Sequence, residues 1–459
     1  MSTNKKEVVE SRNLLDTASS QEKTEIQELA TEYLQFLRQN MTDRERVQWA
    51  IALLQKEGYV EFKMGQDAEV KPGTKFYYMN KSKSFLCGIV GKTQESLTVV
   101  GTHVDVPHVD LKPNFVNEQA DQGCVTLKTH YYGGIKKYLF ATTPLLMKIN
   151  SMKDGKVLVQ TIGDQPEDPV FTIPDLLVHL SQNQSERKMR EVIKAEEMKV
   201  LAGSTKGEFT KFSDNFLKLL EERTGITKKD LPYCEFQLFP AYPPKYVGLD
   251  KSMIGASGQD DGICSFAAIK ALQKLQAPEH TSAVVFHSYE ETGSNGTAGA
   301  QSNFMSFALS DLMDKQKISP SKQRYIQSNA VAIAADVSAL YDVNFASYHD
   351  KMNVAVVNCG TSVSRYTGSA GKSGSSEAPV ELLHQVRQAV DEKFYQFVEL
   401  GEVDVGGGGT TAKFMGQQLS CEVVDVGPGV MNMHSPFEIT GTADLWASVK
   451  FYQQIMERK

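Results

Sequence analysis

The residues best suited to chemistry in this sequence are imidazoles and carboxylates that stand directly after apolar, strand-like runs or inside glycine-rich loops. In Gly101-Thr-His103-Val-Asp105-Val-Pro-His108 an imidazole leaves a β-like run with a carboxylate shortly after it. That carboxylate is placed to accept the second ring N–H, a bond that fixes the tautomer and raises ligand basicity. Ser257-Gly-Gln-Asp260-Asp261-Gly262 is an acidic pair flanked by glycine. Taken alone, it reads as the N-cap of a helix beginning near Ile263. The pair Glu290-Glu291 follows the run Ala283-Val-Val-Phe286. The same dipeptide at Glu196-Glu197 and Glu221-Glu222 lies in polar, helix-like surroundings, so only the 290 pair leaves a buried strand for a Gly/Ser loop. Asp336 ends the run Ala330-Val-Ala-Ile-Ala-Ala335, and His434 lies in Gly427-Pro-Gly-Val-Met-Asn-Met-His-Ser435. A lone histidine is commonly structural. Two imidazoles and several carboxylates at strand ends, however, are the ligand set that borderline zinc accepts at neutral pH.

Such residues can meet only if the fold brings them together, and in an open α/β sheet the carboxyl ends of neighbouring strands converge on one crevice. From Gly255 onward the sequence alternates strand-like runs with helical stretches. The runs are Ser282–Phe286, Ala330–Ala335, Asn353–Val357 and Cys421–Val426; the helical stretches include Ser265–Leu275 and Pro379–Phe397. This alternation predicts an α/β fold with a mostly parallel sheet flanked by helices. Before it, apolar residues recur at helical spacing over Ile26–Asn40, and Thr42-Asp-Arg-Glu45 is a capping box opening a helix that Gly58 can close. A sheet begins after Lys75 with the runs Ser84–Val90 and Ser96–Val100. Residues 108–247 have a different texture, with a β-like run at Val157–Ile162, a polar stretch at Ser181–Arg190 and an amphipathic segment at Phe212–Arg223. We read them as a second, β-rich domain inserted into a first one built from 1–107 and 248–459. No repeat of fixed period occurs, and the low-complexity tract is Gly406–Gly409.

A chain of 459 residues exceeds the size at which one core usually keeps growing, which agrees with two domains. Its 41% hydrophobic and 23% charged residues are those of an ordinary globular protein. A formal charge of −7 without a basic block gives no reason to expect nucleic acid or an anionic membrane as a partner. Met1-Ser-Thr-Asn-Lys-Lys6 is not followed by an apolar stretch, and no segment approaches a membrane span. The expectation is a cytoplasmic protein. Cys87, Cys124, Cys234, Cys264, Cys359 and Cys421 are scattered without a C-x-x-C pair, and are read as reduced thiols.

In chain order, His103-x-Asp105, Asp260-Asp261, Glu290-Glu291, Asp336 and His434 resemble the M18 metallo-aminopeptidases, the family of aminopeptidase I and aspartyl aminopeptidase. Ile173-Pro-Asp-Leu-Leu-Val-His-Leu180, Asp404-Val-Gly-Gly-Gly-Gly-Thr-Thr411 and Met433-His-Ser-Pro-Phe-Glu-Ile439 resemble further stretches of that family, so the likeness covers nearly the whole chain after about residue 25. The resemblance implies a two-metal aminopeptidase that removes the N-terminal residue of peptides through a metal-bridging water. Asp260 would bridge two divalent ions, first of all zinc, with cobalt or manganese as alternatives. His103 and Asp336 would complete one ion's shell, Glu291 and His434 the other's, and Glu290 would remain free as general base, with Asp105 behind His103. The resemblance further implies that 108–247 mediates dimerisation and that dimers assemble into a homododecamer.

Two departures matter. Many relatives have Arg or Asn-Leu after the bridging Asp, whereas this chain has Asp261-Gly262, which removes one contact behind the ligands. The tryptophan-containing loop of the aspartyl branch is replaced by Tyr131-Tyr-Gly-Gly-Ile-Lys-Lys137, which places the chain nearer the aminopeptidase I branch and neutral or apolar first residues. The alternatives are aspartyl-type specificity for acidic first residues, a related dipeptidase, carboxypeptidase or deacylase, and a catalytically weak self-assembling shell protein.

Overall fold

The computed structural model describes residues 12–368, 371–373, 377–399, 403–404 and 408–459. The N-terminal hexapeptide and residues 405–407 of the Asp404–Thr411 stretch therefore lie outside the described residues. Two large sheets organise the rest. A nine-stranded sheet runs in the order Val60–Glu61, Lys75–Asn80, Ser84–Ile89, His280–His287, Thr93–His103, Val331–Ala334, Val423–Gly427, Thr361–Ser364 and Tyr395–Val398. Its centre is parallel: Thr93–His103 lies between His280–His287 and Val331–Ala334, with His103 opposite His287 and Gly101 opposite Ala334. Helices cover both faces, so two separate cores form. One packs Tyr33, Phe36 and Phe266 against Val100, Val284 and Ile333, and the other packs Met305, Leu312 and Met415 against Val99, Val285 and Ala332. Burial on both faces explains why the central strands read as continuous apolar runs rather than alternating ones.

The helices follow their sequence signals. Ser20–Gln39 buries Ile26, Ala30, Tyr33 and Leu37, one stripe at helical spacing, and Ser19 caps it in a box with Glu22. Asp43–Lys56 carries the Thr42/Glu45 capping box, and Gly58 follows it at φ 86°. The stretch Pro379–Phe397 divides. Its helix spans Val380–Ala389, after which Val390 is extended and the Asp391 side chain caps a short turn that leads into the strand Tyr395–Val398. Asn353–Val357 is not a strand, because Asp350 accepts hydrogen bonds from the Met352 N–H and the Asn353 amide, holding the segment in a turn. Ala355 keeps a single bridge to Leu340.

The six-stranded sheet takes its strands from His108–Gln119, Cys124–Tyr132, Leu145–Lys153, Lys156–Ile162, Lys199–Gly203 and Glu235–Pro240, in an antiparallel arrangement. Its own core gathers Leu127, Ile149 and Leu238 with Phe212, Phe216 and Leu220 of the helix Phe212–Thr224. A smaller sheet joins Lys245–Val247 to Met253–Ala256 and Met253–Ala256 to Glu438–Gly441. That last pairing sets Glu438 opposite Ala256, just ahead of the Asp260 loop. All six cysteines are unpaired. Among the described residues no helix is long and apolar enough to cross a membrane.

Candidate metal centre

The strand ends deliver the polar side chains to one place. His103 is the last residue of its strand, Glu290 and Glu291 form a short turn after His280–His287, and Asp336 follows Val331–Ala334. Asp260 enters at the start of the helix Gln259–Lys274, where Asp260 and Asp261 have non-helical dihedrals and a cis peptide joins them. His434 comes from the loop before Glu438–Gly441, with φ 62°.

Asp260 stands between the two imidazoles. Its Oδ1 lies 3.1 Å from His103 Nε2 and its Oδ2 lies 3.1 Å from His434 Nε2. Asp336 Oδ1 is 3.8 Å from His103 Nε2, and Glu291 Oε1 is 3.3 Å from His434 Nε2. Both imidazoles are held from behind through the other nitrogen. His103 Nδ1 faces the Asp105 main-chain oxygen at 3.2 Å and its carboxylate at 3.4 Å, and His434 Nδ1 donates to the Gly134 carbonyl at 2.8 Å. Each Nε2 is therefore aimed at the Asp260 carboxylate, to which it donates a hydrogen bond that a metal ion would replace. The candidate ligand atoms fall into groups within 4.8 Å of one another: His103, Asp261 and Asp336; His103, Glu290 and Glu291; and Asp260, Glu291 and His434.

The electrostatics of this cluster favour a cation. Burial would raise the Asp260 carboxyl, but the hydrogen bonds and charges of His103 and His434 outweigh it and hold Asp260 below the usual carboxylate range. Burial pushes Glu290 up to about 7 and also raises Glu291 and Asp336. Glu291 Oε1 and Asp261 Oδ1 are buried without a hydrogen-bond partner. Ionising so many buried carboxylates around two imidazoles is costly, and divalent cations would offset that cost. The donor set of imidazole nitrogens and carboxylate oxygens fits zinc.

The family model described as "Aminopeptidase I zinc metalloprotease (M18)" matches residues 36–455. The chain belongs to the M18 aminopeptidase family. A probable M18 family aminopeptidase 1 of Thermotoga maritima is 36% identical over 446 residues, covering 95% of this chain and 97% of the relative. The corresponding protein of Clostridium acetobutylicum is 33% identical over 462 residues, 97% of this chain and 98% of that one. The crystal structure of the Thermotoga maritima aminopeptidase aligns with TM-score 0.90 at 35% identity, over 97% of this chain and 99% of that one. A solved mApe1 dodecamer of S. cerevesiae, 23% identical over 93% of this chain and 95% of its own, shares the fold with TM-score 0.73. This M18 chain is accordingly a metallo-aminopeptidase, a peptide hydrolase of a zinc-dependent family.

Several residues that hold this M18 site together are not evident from motif spacing. Glu438 accepts hydrogen bonds from the N–H groups of Gln259 at 2.6 Å, Asp260 at 3.3 Å and His434 at 2.7 Å, so one carboxylate fastens the loops that carry Asp260 and His434. Asp261 accepts from the Thr102 hydroxyl and, at 3.2 Å, from the His103 N–H, and burial raises its carboxyl to about 7. The space opened by Gly262 is occupied: a Cβ there would meet the Arg46 guanidinium at 2.7 Å. Arg46 itself is buried and donates to the Gly258 and Val104 carbonyls. An arginine from a distant helix thus fills the position behind the Asp pair.

Proposed function

We propose that the protein is a two-metal aminopeptidase that hydrolyses the first peptide bond of short peptides with neutral or apolar first residues. The observation that carries this reading is the Asp260 carboxylate, which offers one oxygen to each of two imidazoles at 3.1 Å. Asp260 would bridge the ions, His103 and Asp336 would serve one, and Glu291 and His434 the other, with zinc as the first candidate and cobalt or manganese as substitutes. Bound there, such ions would bring the pKa of water from ~15.7 to about 7 and polarise the scissile carbonyl. Glu290 would stay free of the ions, and Asp105 accepts both the Glu290 and Glu291 N–H groups, at 3.1 and 3.2 Å. That bond pair fixes the turn, so that Glu290 can take the proton of the attacking water and return it to the leaving nitrogen. Burial raises this carboxyl above the usual carboxylate range, which suits a group that must both accept and give a proton.

The division into a catalytic part (1–107 and 248–459) and an inserted dimerisation domain (108–247) belongs to the same proposal. It is supported by the separate core of the six-stranded sheet and by the dodecameric assembly of the mApe1 relative. Enclosed chambers would restrict a solvent-hungry metal site to short peptides.

The test is a set of initial rates on aminoacyl-naphthylamides and their N-acetylated counterparts, after exhaustive demetallation and reconstitution with zinc, cobalt or manganese. Activity should vanish with the metal, return with a divalent ion, require the free α-amine and favour neutral or apolar first residues. Full activity in metal-free protein, or equal rates on blocked substrates, would sink the proposal.

A further inference from the structure

None of the groups proposed as ligands comes from the six-stranded sheet, yet that sheet reaches the metal centre through consecutive residues. Tyr132 ends the strand Cys124–Tyr132, and its hydroxyl donates to Asp105 Oδ2 at 2.8 Å. Gly133 follows at φ +75°, where an added Cβ would stand 3.3 Å from both Cβ and Oε2 of Glu291. Gly134 accepts the Nδ1–H of His434 on its carbonyl at 2.8 Å. Three successive residues therefore meet three different groups of the centre. The Tyr132 ring is itself fixed by stacking on His108, with centroids 4.6 Å apart and planes 18° apart. His108 is in turn bonded to the Val106 carbonyl and Asp110 where the chain passes from one sheet to the other.

We infer that Tyr132–Gly134 is a positioning segment through which the inserted sheet sets the geometry of the metal pair. Tyr132 acts chiefly on the His103 side through Asp105, whose carboxylate faces the His103 ring itself and meets Glu290 and Glu291 only at their main-chain N–H groups. Gly133 and Gly134 act on the other side through Glu291 and His434. A left-handed glycine is needed between them for two reasons: other residues rarely adopt that φ, and a side chain would press on a ligand carboxylate. Contacts behind a ligand tune metal affinity, and their loss costs about 10–100-fold. The inference rests on the two-ion reading proposed above.

Cobalt titration of the demetallated full-length protein tests it, with the visible absorption of bound cobalt as readout and a competing chelator to set affinity. Tyr132→Phe keeps the ring against His108 and removes only the hydroxyl. It should weaken one of the two cobalt-binding steps by about 10–100-fold, lower kcat more than it raises KM, and leave the sedimentation profile unchanged. Gly133→Ala should weaken the other step. Tyr131→Phe, whose ring lies beside Lys137 and stacks on His130, should leave both steps intact. Tyr132→Phe with both parental affinities overturns the inference, as does an equal loss at both steps accompanied by a lower melting temperature, which would make the segment merely structural. If Gly133→Ala fails to fold, Tyr132→Phe decides alone. A parent protein that binds no cobalt pair refutes the two-ion reading itself, whereas a parent with two cobalt ions and unaltered variants refutes this inference only.

Discussion

The two sheets of the molecule treat their polar groups in opposite ways. In the nine-stranded sheet Val331–Ala334, Ser84–Ile89 and Val423–Gly427 are buried throughout, and the imidazoles and carboxylates of the candidate metal centre gather at the strand ends and the loops beside them. In the six-stranded sheet the strand Cys124–Tyr132 alternates: Val125, Leu127 and Thr129 are buried, while Lys128 and His130 face out. A sheet covered on both faces can expose side chains only at its ends, so chemistry concentrates there. A sheet covered on one face has a free surface along its whole length, which is suited to contact with another subunit and not to a catalytic crevice.

This contrast predicts that the largest losses of rate follow from small changes at the strand ends. Glu290→Gln conserves shape and cannot take a proton, so kcat should fall by roughly 10²–10⁴-fold while metal content and assembly stay as in the parent. Steady-state rates together with metal analysis check this. A variant with parental turnover would move the general base to another residue.

The sequence made His103, Glu290, Glu291 and Asp336 stand out because they follow runs of buried residues, and a carboxylate has few other reasons to end such a run. The Glu290-Glu291 pair stood out from Glu196-Glu197 and Glu221-Glu222 on that ground alone. Asp260 and His434, in glycine-containing loops, stood out only in combination with these groups. Groups that act from behind were not legible. Gly134 and His434 are separated by 300 positions, and no local pattern marks a main-chain carbonyl as the acceptor for that imidazole. Glu438 likewise looks like an ordinary strand residue until its pairing with Ala256 sets it beside the Asp260 loop. The errors in secondary structure share one cause. At Asn353–Val357 and after Ala389, Asp side chains bond to nearby backbone and hold turns that override the apolar pattern.

A second prediction uses the protons of the same site. Burial opposes protonation of His434, but the Asp260 hydrogen bond and the Glu291 charge outweigh it and raise the metal-free imidazole to about 10. A metal binding at Nε2 must displace that proton. With the pKa raised, the proton is held throughout the neutral range, so affinity should increase with pH, by about tenfold per unit for one proton released. Chelator competition at about pH 6.5 and about pH 8 measures it. Affinity that is flat or falls with pH would show that His434 binds no metal.

The smallest effect on the chemistry itself, and the sharpest test of the contrast between the sheets, concerns an exposed apolar run on the six-stranded side. Leu176, Leu177, Val178 and Leu180 are 45%, 55%, 76% and 65% exposed, in a segment that follows the bridge from Thr172 to Leu201. Isolated exposed aliphatics are common, but a contiguous set marks a surface that another chain covers. If copies of this protein meet there, a lysine at its centre would have to be buried unpaired, at a cost of several kcal/mol. Val178→Lys should therefore sediment as a smaller species than the parent at equal concentration, with unchanged circular dichroism, because Val178 makes no part of the Leu127–Ile149–Leu238 core. A parental sedimentation profile for Val178→Lys would remove this run from the subunit contact, and the covering of the six-stranded sheet would then have to be sought along its outward-facing strands.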